Sequence, residues 1–213
     1  MFPISPQNLI LSPYISWNLP FVVQWTNQGK GGILMYFSTT YLSPVGKLTL
    51  ASDGQHLTGL WMEGQKYFGG GILEILEEKD SLPLFITVKE WLNQYFAGEK
   101  PLPSQLPLLP LGSPFRQTVW HILCEIPYGE VTTYGAIAKK AAAQMRKETM
   151  SCQAVGGAIG HNPISIIIPC HRVIGANGSL TGYAGGIATK VKLLEHEGVE
   201  LSRLFIPKKG TAL

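Results

Sequence analysis

Cysteine is scarce in this sequence of 213 residues, and its three copies stand far apart, at positions 124, 152 and 170. None belongs to a CxxC pair, and no group of histidines and cysteines has the spacing of a zinc site. His121 and Cys124 could share one helix face, but two ligands do not make a site. We therefore predict no metal site. An odd, small number of cysteines is typical of a reducing compartment and favours the cytoplasm.

Long apolar runs are also missing at the start of the chain. Residues 1–34 contain one charged residue, Lys30, and four prolines that interrupt every apolar stretch. No basic region precedes these stretches, so we expect neither a signal peptide nor a membrane-spanning helix. We interpret residues 1–34 as an extension, with the folded unit beginning near Met35. Deleting the extension should leave activity and melting temperature nearly unchanged.

Charged residues make up only 15% of the chain, against 45% hydrophobic residues, a composition that permits a proper core. The charge is unevenly spread: residues 1–99 carry five Lys/Arg and eight Asp/Glu, a net charge of −3, whereas residues 100–213 carry twelve and six, a net charge of +6. Such asymmetry points to a polyanion facing the second half, although surface lysines also serve solubility alone.

The first half has the pattern of a small α+β domain over residues 35–100. Apolar and polar residues alternate from Tyr36 to Met62 around two turn signals, which predicts an antiparallel meander. The spacing of apolar residues between Thr87 and Phe96 predicts an amphipathic helix. Four prolines between residues 101 and 112 exclude a helix or central strand there, and we place a linker at that segment.

The second domain, residues 113–213, opens with helix signals. Ser113 precedes a proline at a predicted first helical position, Thr133 can cap a second helix through residues 134–144, and a third helix is predicted to follow Ser151. This order is typical of a helix-turn-helix with a long turn. The third helix contains the sequence AVGGA, which either packs tightly against a neighbour or lets another surface approach its backbone.

The segment Ile164–Val173 reads ISIIIPCHRV. Its β-branched run predicts an apolar strand, after which Cys170 and His171 stand side by side. On these two residues alone, a buried, inert thiol beside a hydrogen-bonded histidine is the favoured interpretation. The alternative is a nucleophile and its base. Because neighbours on an extended chain point to opposite sides, direct contact between the thiol and the imidazole is not expected.

Several separate blocks occur together in the second domain. PCHRV at 169–173 is preceded by Asn162-Pro163 and followed by GYAGG at 182–186 and Glu197-Gly198. In this combination the chain, from about Met35 onward, resembles the methylated-DNA–protein-cysteine methyltransferases, which repair alkylated guanine. The resemblance implies an α+β fold class: an N-terminal ribonuclease-H-like antiparallel sheet domain, and a C-terminal helical domain with a winged-helix-like helix-turn-helix.

The resemblance also implies a reaction. The alkyl group of O6-alkylguanine, and of O4-alkylthymine, would be transferred irreversibly to Cys170 after the base is flipped out of the duplex. His171 would take the thiol proton through a water, with Glu197 hydrogen-bonded to the imidazole. Tyr134 would donate to the departing base, and Asn162 would tie the third helix to the thiol pocket. No cofactor would be needed, and the protein would act once, as a monomer.

The implied partner is double-stranded alkylated DNA, bound through its minor groove, with no membrane contact. Gln153 stands where many relatives have an intercalating arginine; it can still fill the gap left by the extruded nucleotide but brings no charge. Ala184 stands where some relatives have a serine, so a side-chain hydroxyl contact to the base is lost there. The zinc ligands of some relatives are not evident. The residues expected at the DNA or the flipped base are Ser151, Gln153, Ala154, Gly156, Gly157, Gly135, Tyr183, Ala184, Val173, Arg146 and Lys147.

Two other functions share parts of this pattern. A non-enzymatic module that binds damaged DNA would lack the cysteine of the PCHRV block, so Cys170 argues against it. A cysteine hydrolase would use the same thiol, imidazole and acid, but it would turn over and leave the AVGGA helix without a role. Two further cysteines remain. Cys124 is expected to pack in a helix, and Cys152, at a helix start, is an alternative nucleophile for which packing is the favoured role.

Overall fold

The computed structural model describes residues 35–207, apart from the side chain of Glu74. The proposed N-terminal extension, residues 1–34, lies outside the described residues, as do residues 208–213. No helix in the described range is long and apolar enough to cross a membrane.

Four strands form a sheet in the first half of the described chain. Strands β1 (Tyr36–Ser43), β2 (Gly46–Ser52) and β3 (Leu57–Met62) pair antiparallel, which confirms the predicted meander. Gly46 has φ 113°, the left-handed conformation that the tight turn between β1 and β2 requires. A short strand not predicted from the sequence, β4 (Leu76–Glu78), pairs parallel with β1. The sheet is therefore mixed, in the order β3-β2-β1-β4.

Helix α1 (Pro83–Phe96) begins four residues before the predicted start at Thr87. Pro83 occupies the first turn, where proline removes no helical hydrogen bond. The helix buries one apolar face, including Trp91 and Tyr95, in the same cluster as Leu48 and Leu50 of β2. The proline-rich segment that follows also packs on the sheet, because Leu57 of β3 donates to the Pro107 carbonyl at 2.8 Å.

Three capped helices build the second half, as predicted: α2 (Pro114–Cys124), α3 (Tyr134–Gln144) and α4 (Cys152–Gly160). The hydroxyls of Ser113, Thr133 and Ser151 each accept from a backbone N–H of the first turn, at 3.2–3.4 Å. The indole Nε1 of Trp120 donates to the Ala158 carbonyl at 2.9 Å and joins α2 to α4. Strands β5 (Thr132–Thr133) and β6 (Val173–Ile174) pair parallel, and α5 (Ile187–His196) follows.

The predicted strand at Ile164–Ile168 is wrong. Only one bridge forms there, between Ile164 and Leu60, and the next residues turn, with Ile166 at φ 70°. Backbone groups of Ile164 and Ile168 are instead satisfied by the side chain of Asn162, at 3.0 and 2.8 Å. The β-branched run reflects complete burial rather than sheet pairing.

The extended conformation expected for Cys170 and His171 is also wrong. Cys170–Arg172 form one turn of 3₁₀ helix, because Pro169 precedes them and its carbonyl accepts the Arg172 N–H at 3.0 Å. Consecutive side chains of such a turn are about 120° apart, so alternation across a strand cannot separate the thiol from the imidazole.

Candidate active site

The 3₁₀ turn presents three polar side chains to the interior. Cys170 is 4% exposed, His171 0% and Arg172 6%. Buried polar and charged groups are costly unless they are paired, so the partners of these side chains define the site.

The Cys170 sulfur is paired with Asn162, which follows the C-terminal end of α4. Nδ2 of Asn162 donates one hydrogen bond to Sγ at 3.0 Å and another to the Ile168 carbonyl at 2.8 Å. Burial raises the pKa of the Cys170 thiol, and the Asn162 hydrogen bond and the charge of Lys190 partly oppose this effect. The thiol therefore needs a base to become a nucleophile.

The imidazole of His171 is held by Glu197, one residue beyond α5. Nε2 lies 2.7 Å from Oε1 of Glu197, and because a carboxylate only accepts, Nε2 carries the hydrogen. Nδ1 is buried and has no hydrogen-bond partner among residues 35–207. Burial, together with the charges of Arg172 and Lys190, lowers the pKa of His171 against the opposing effect of Glu197. His171 is thus a neutral imidazole with a free lone pair on Nδ1.

Glu197 accepts hydrogen bonds from donors in distant parts of the chain. Oε1 accepts from the hydroxyl of Tyr95 at 2.7 Å and from Nη2 of Arg172 at 3.0 Å; Oε2 accepts from Nε of Arg172 at 2.8 Å and from the Gly129 N–H at 3.2 Å. Burial alone would raise the pKa of Glu197, but the hydrogen bonds from His171 and Arg172 and the charge of Arg172 hold it well below its usual range. Glu197 is therefore a carboxylate.

Lys190 is a second buried cation, and its charge acts on the Cys170 thiol. Nζ of Lys190, a 0% exposed residue of α5, donates to the Val173 carbonyl at 2.5 Å and to the Thr181 carbonyl at 2.9 Å. The Thr181 carbonyl also accepts from the hydroxyl of Tyr134 at 3.0 Å. Burial lowers the pKa of Lys190 to about 8, and burial also raises the pKa of Tyr134, which stays a neutral phenol.

A groove of about 540 Å³ runs beside these residues. Among the predicted residues, its walls include Tyr134, Gln153, Gly156, Gly157, Tyr183 and Ala184. Cys170 is not on this lining. It belongs to the same buried cluster as Tyr183, against which Tyr134 packs, and burial raises the pKa values of both tyrosines.

The α4 glycines leave the groove open. A Cβ added at Gly157 would meet no atom within 4 Å, and one added at Gly156 would reach the Tyr134 ring only at 3.8 Å. Packing inside the described part of the protein therefore does not require glycine at either position.

Other predicted residues lie outside the groove lining. Ser151 caps α4 through the Ala154 N–H, Gly135 is in the first turn of α3, and Val173 is buried with its carbonyl on Lys190. Arg146 and Lys147 lie in the connection between α3 and α4.

The remaining cysteines differ from Cys170. Burial raises the pKa of Cys124 to about 12, which suits a packing residue. Cys152 is exposed and lines the groove at the first residue of α4.

Sequence reasoning missed Tyr95, Arg172 and Lys190 as site residues. Arg172 belongs to the PCHRV block and directly follows His171, whose implied partner is Glu197. An arginine next to that pair could have been predicted to form an ion pair with the carboxylate. Tyr95 falls within the predicted amphipathic helix between Thr87 and Phe96, and its spacing there marks only an apolar face. Lys190 stands in a helix whose other lysine, Lys192, is exposed, and nothing local distinguishes the two.

Comparison with known proteins gives consistent matches along the described chain. Residues 36–110 match the family model for the ribonuclease-like domain of 6-O-methylguanine DNA methyltransferase, and residues 114–199 match that for its DNA binding domain. The methylated-DNA–protein-cysteine methyltransferase of Haemophilus influenzae is 41% identical over 163 residues, 76% of this chain and 87% of the relative. That of Methanosarcina acetivorans is 42% identical over 167 residues, 77% of this chain and 99% of the relative.

A solved structure also aligns with this fold. The crystal structure of Mycobacterium tuberculosis OGT in complex with DNA matches with a TM-score of 0.68 and 44% identity, covering 79% of this chain and 94% of that one.

Proposed function

The chain belongs to the 6-O-methylguanine DNA methyltransferase family, and on this premise we propose that Cys170 is the sulfur that receives the alkyl group. The protein repairs DNA by direct transfer of an alkyl group from O6-alkylguanine to one of its own cysteines. The observation that carries the assignment is that the Cys170 sulfur accepts from Asn162 and adjoins a neutral His171 bound to Glu197, in the buried cluster that also contains Tyr183 of the groove lining.

The transfer can be written with these groups. Nδ1 of His171 receives the thiol proton of Cys170 through one water, and Glu197 stabilises the imidazolium that forms. The thiolate attacks the alkyl carbon, a C–S bond forms and the C–O bond to guanine breaks. The bonding electrons pass to guanine, where the phenol of Tyr134 donates a hydrogen bond or a proton. The thioether has no comparable leaving group, so the protein acts once and needs no cofactor.

The route of the base to the sulfur requires flipping. The O6 position is inaccessible inside a duplex, and extruding the nucleotide costs roughly a few kcal/mol. We assign the groove to the flipped base, with Tyr183 and the backbone of Ala184 as its wall. Cys170 is 4% exposed and is not on the groove lining, so side chains that cover it must shift for the alkyl carbon to reach Sγ.

The protein would bind the duplex as a monomer, and the face of α4 that carries Gly156 and Gly157 would lie in the minor groove. Gly156 and Gly157 leave room for a sugar-phosphate strand, and Gln153, which lines the groove, would fill the gap left by the extruded nucleotide. Arg146 and Lys147 are assigned to phosphates beside α4. We also propose the division of the chain into an α+β domain at residues 35–100, a linker at 101–112 and a second domain at 113–213 that carries the sulfur and the DNA-binding helices.

Mass spectrometry of the reacted protein tests the nucleophile. Incubation with a duplex containing O6-methylguanine should add one methyl mass to the peptide that contains Cys170. Cys170→Ala should abolish transfer while duplex binding persists, and Cys152→Ala serves as the matched control because Cys152 lines the same groove. A methyl group found on Cys152 would overturn the assignment.

The time course separates transfer from hydrolysis, the competing cysteine chemistry. A plateau at one equivalent of repaired base per protein supports a stoichiometric acceptor, whereas a sustained rate would identify a hydrolase. Repeating the assay with O4-methylthymine tests the proposed second substrate.

A further inference from the structure

Two aromatic rings from different halves of the described chain stack at one end of the groove. The rings of Tyr67 and His161 have centroids 3.9 Å apart and planes inclined by 19°. Tyr67 lies in the loop after β3, and His161 directly follows α4. Both line the groove beside Gly157 and Gly160, so the first half of the chain supplies part of the wall. We call Lys66, Tyr67 and His161 the stacked wall.

The stacked wall is held in place from both sides. The Lys66 N–H donates to the Ala184 carbonyl at 3.0 Å, and the preceding Gln65 accepts from the Ser165 hydroxyl at 2.9 Å. Nδ1 of His161 donates to the Gly157 carbonyl at 2.7 Å. Tyr67 has φ 61°, a conformation that is uncommon for residues other than glycine. These contacts fix the position of the wall relative to α4.

The chemistry of the stacked wall suits a nucleic acid strand. Tyr67 is 47% exposed, with His161 stacked on one face of its ring and the Lys66 ammonium over the ring, so the ring opens to a base or sugar when Lys66 turns to a phosphate. Nζ of Lys66 lies 5.2 Å from the Tyr67 centroid, and no ion pair within residues 35–207 engages it. No carboxylate from the described part of the chain lines the groove. An ammonium group beside an aromatic face, on a groove lining without a carboxylate among the described residues, matches a phosphate and its nucleoside.

We propose that the stacked wall is a second DNA contact, in which Lys66 neutralises one phosphate and Tyr67, backed by His161, packs on the adjoining nucleoside. This inference rests on the proposed function, because the DNA strand at the stacked wall would be the same strand that is proposed to cross α4. It adds a contact from the sheet-bearing half of the protein to an interface otherwise built from helices of the second half.

The salt dependence of duplex binding tests the proposal. Neutralising one phosphate contributes about 0.9 to the slope of log K against log salt, so Lys66→Gln should make the slope shallower by about that amount. Lys79→Gln is the matched control, because Nζ of Lys79 also lies over an aromatic ring, that of Phe37 at 4.7 Å, but outside the groove lining. Lys79→Gln should leave the slope unchanged.

The aromatic contribution is measured separately. Tyr67→Leu should weaken binding roughly 5- to 100-fold at every salt concentration, with an unchanged slope, because stacking releases no counterions. Tyr67→Phe keeps the ring and should bind like the wild type. If Tyr67→Leu has a clearly lower melting temperature than the wild type, the salt-dependence slope of Lys66→Gln tests the proposal in its place.

The outcomes distinguish this proposal from the proposed function. If Lys66→Gln and Lys79→Gln have the same slope while the wild type still methylates itself on duplex DNA, the stacked wall is not a DNA contact and the transfer assignment stands. If the wild type neither binds nor accepts methyl from the duplex, both are overturned.

Discussion

Replacing Gly157 by alanine should stabilise the protein and at the same time lower its affinity for DNA. Gly157 lies inside α4, and an added Cβ meets no atom within 4 Å. Alanine is favoured over glycine in a helix by about 0.5–1 kcal/mol, which corresponds to a rise of roughly 1–4 °C in melting temperature for a domain of this size. If the DNA backbone approaches α4 closely, the same methyl group occupies its place, and the Kd for duplex should increase about fivefold or more.

The assay pairs thermal unfolding with fluorescence anisotropy of a labelled duplex. Ala143→Gly is the matched control, because Ala143 is exposed in α3 and outside the groove lining, and the substitution should lower the melting temperature without changing the Kd. Opposite changes in stability and affinity for Gly157→Ala would support close approach. A more stable Gly157→Ala variant with unchanged affinity would refute the assignment of this face to DNA.

Three further predictions concern the site itself. Tyr134→Phe should bind duplex normally and transfer methyl roughly 100-fold more slowly in single-turnover assays, and a wild-type rate would exclude the phenol as donor. Asn162→Ala should lower the melting temperature, since the buried Ile168 carbonyl loses its donor, and should shift the rate profile to higher pH as the thiol loses its hydrogen bond; an unshifted profile would contradict this. The folded-state pKa values of His171 and Glu197 lie below their ordinary values of 6.5 and 4.5, so the unfolded chain binds more protons than the folded one in acid. The free energy of unfolding should therefore fall as the pH drops below 6.5, and fall again below 4.5. Glu197→Gln should remove the lower step in acid titrations followed by circular dichroism, and its persistence would assign that step to other carboxyls.

The helices of the second half were predictable because their signals are local. Ser113, Thr133 and Ser151 each cap a helix that begins at the next residue, and apolar spacing marks the face that is buried. Strand β4 carries no such signal, since three residues are too few for an alternating pattern. The run at Ile164–Ile168 was misread as a strand because burial selects β-branched residues whether or not the backbone pairs in a sheet.

The site was less predictable than the fold. Cys170, His171 and Glu197 were assigned from resemblance to a family, and the residues alone favoured an inert thiol. Tyr95 and Glu197 are 102 positions apart, and no local pattern in α1 separates a hydroxyl that reaches a carboxylate from a ring that packs. Long-range hydrogen bonds of this kind depend on how the elements pack, which periodicity does not specify.

The donors that sequence reasoning missed explain why His171 can act as a base. A buried carboxylate facing only an imidazole would favour the imidazolium, and the lone pair on Nδ1 would be lost. Here Arg172 makes two hydrogen bonds to Glu197 and balances its charge, while Tyr95 and Gly129 supply further donors. The charges of Arg172 and Lys190 also lower the pKa of His171, and that of Lys190 lowers the pKa of Cys170. Burial and the charges of Arg172 and Lys190 therefore keep His171 unprotonated and ready to accept a proton, and Lys190 also partly offsets the burial that raises the pKa of Cys170.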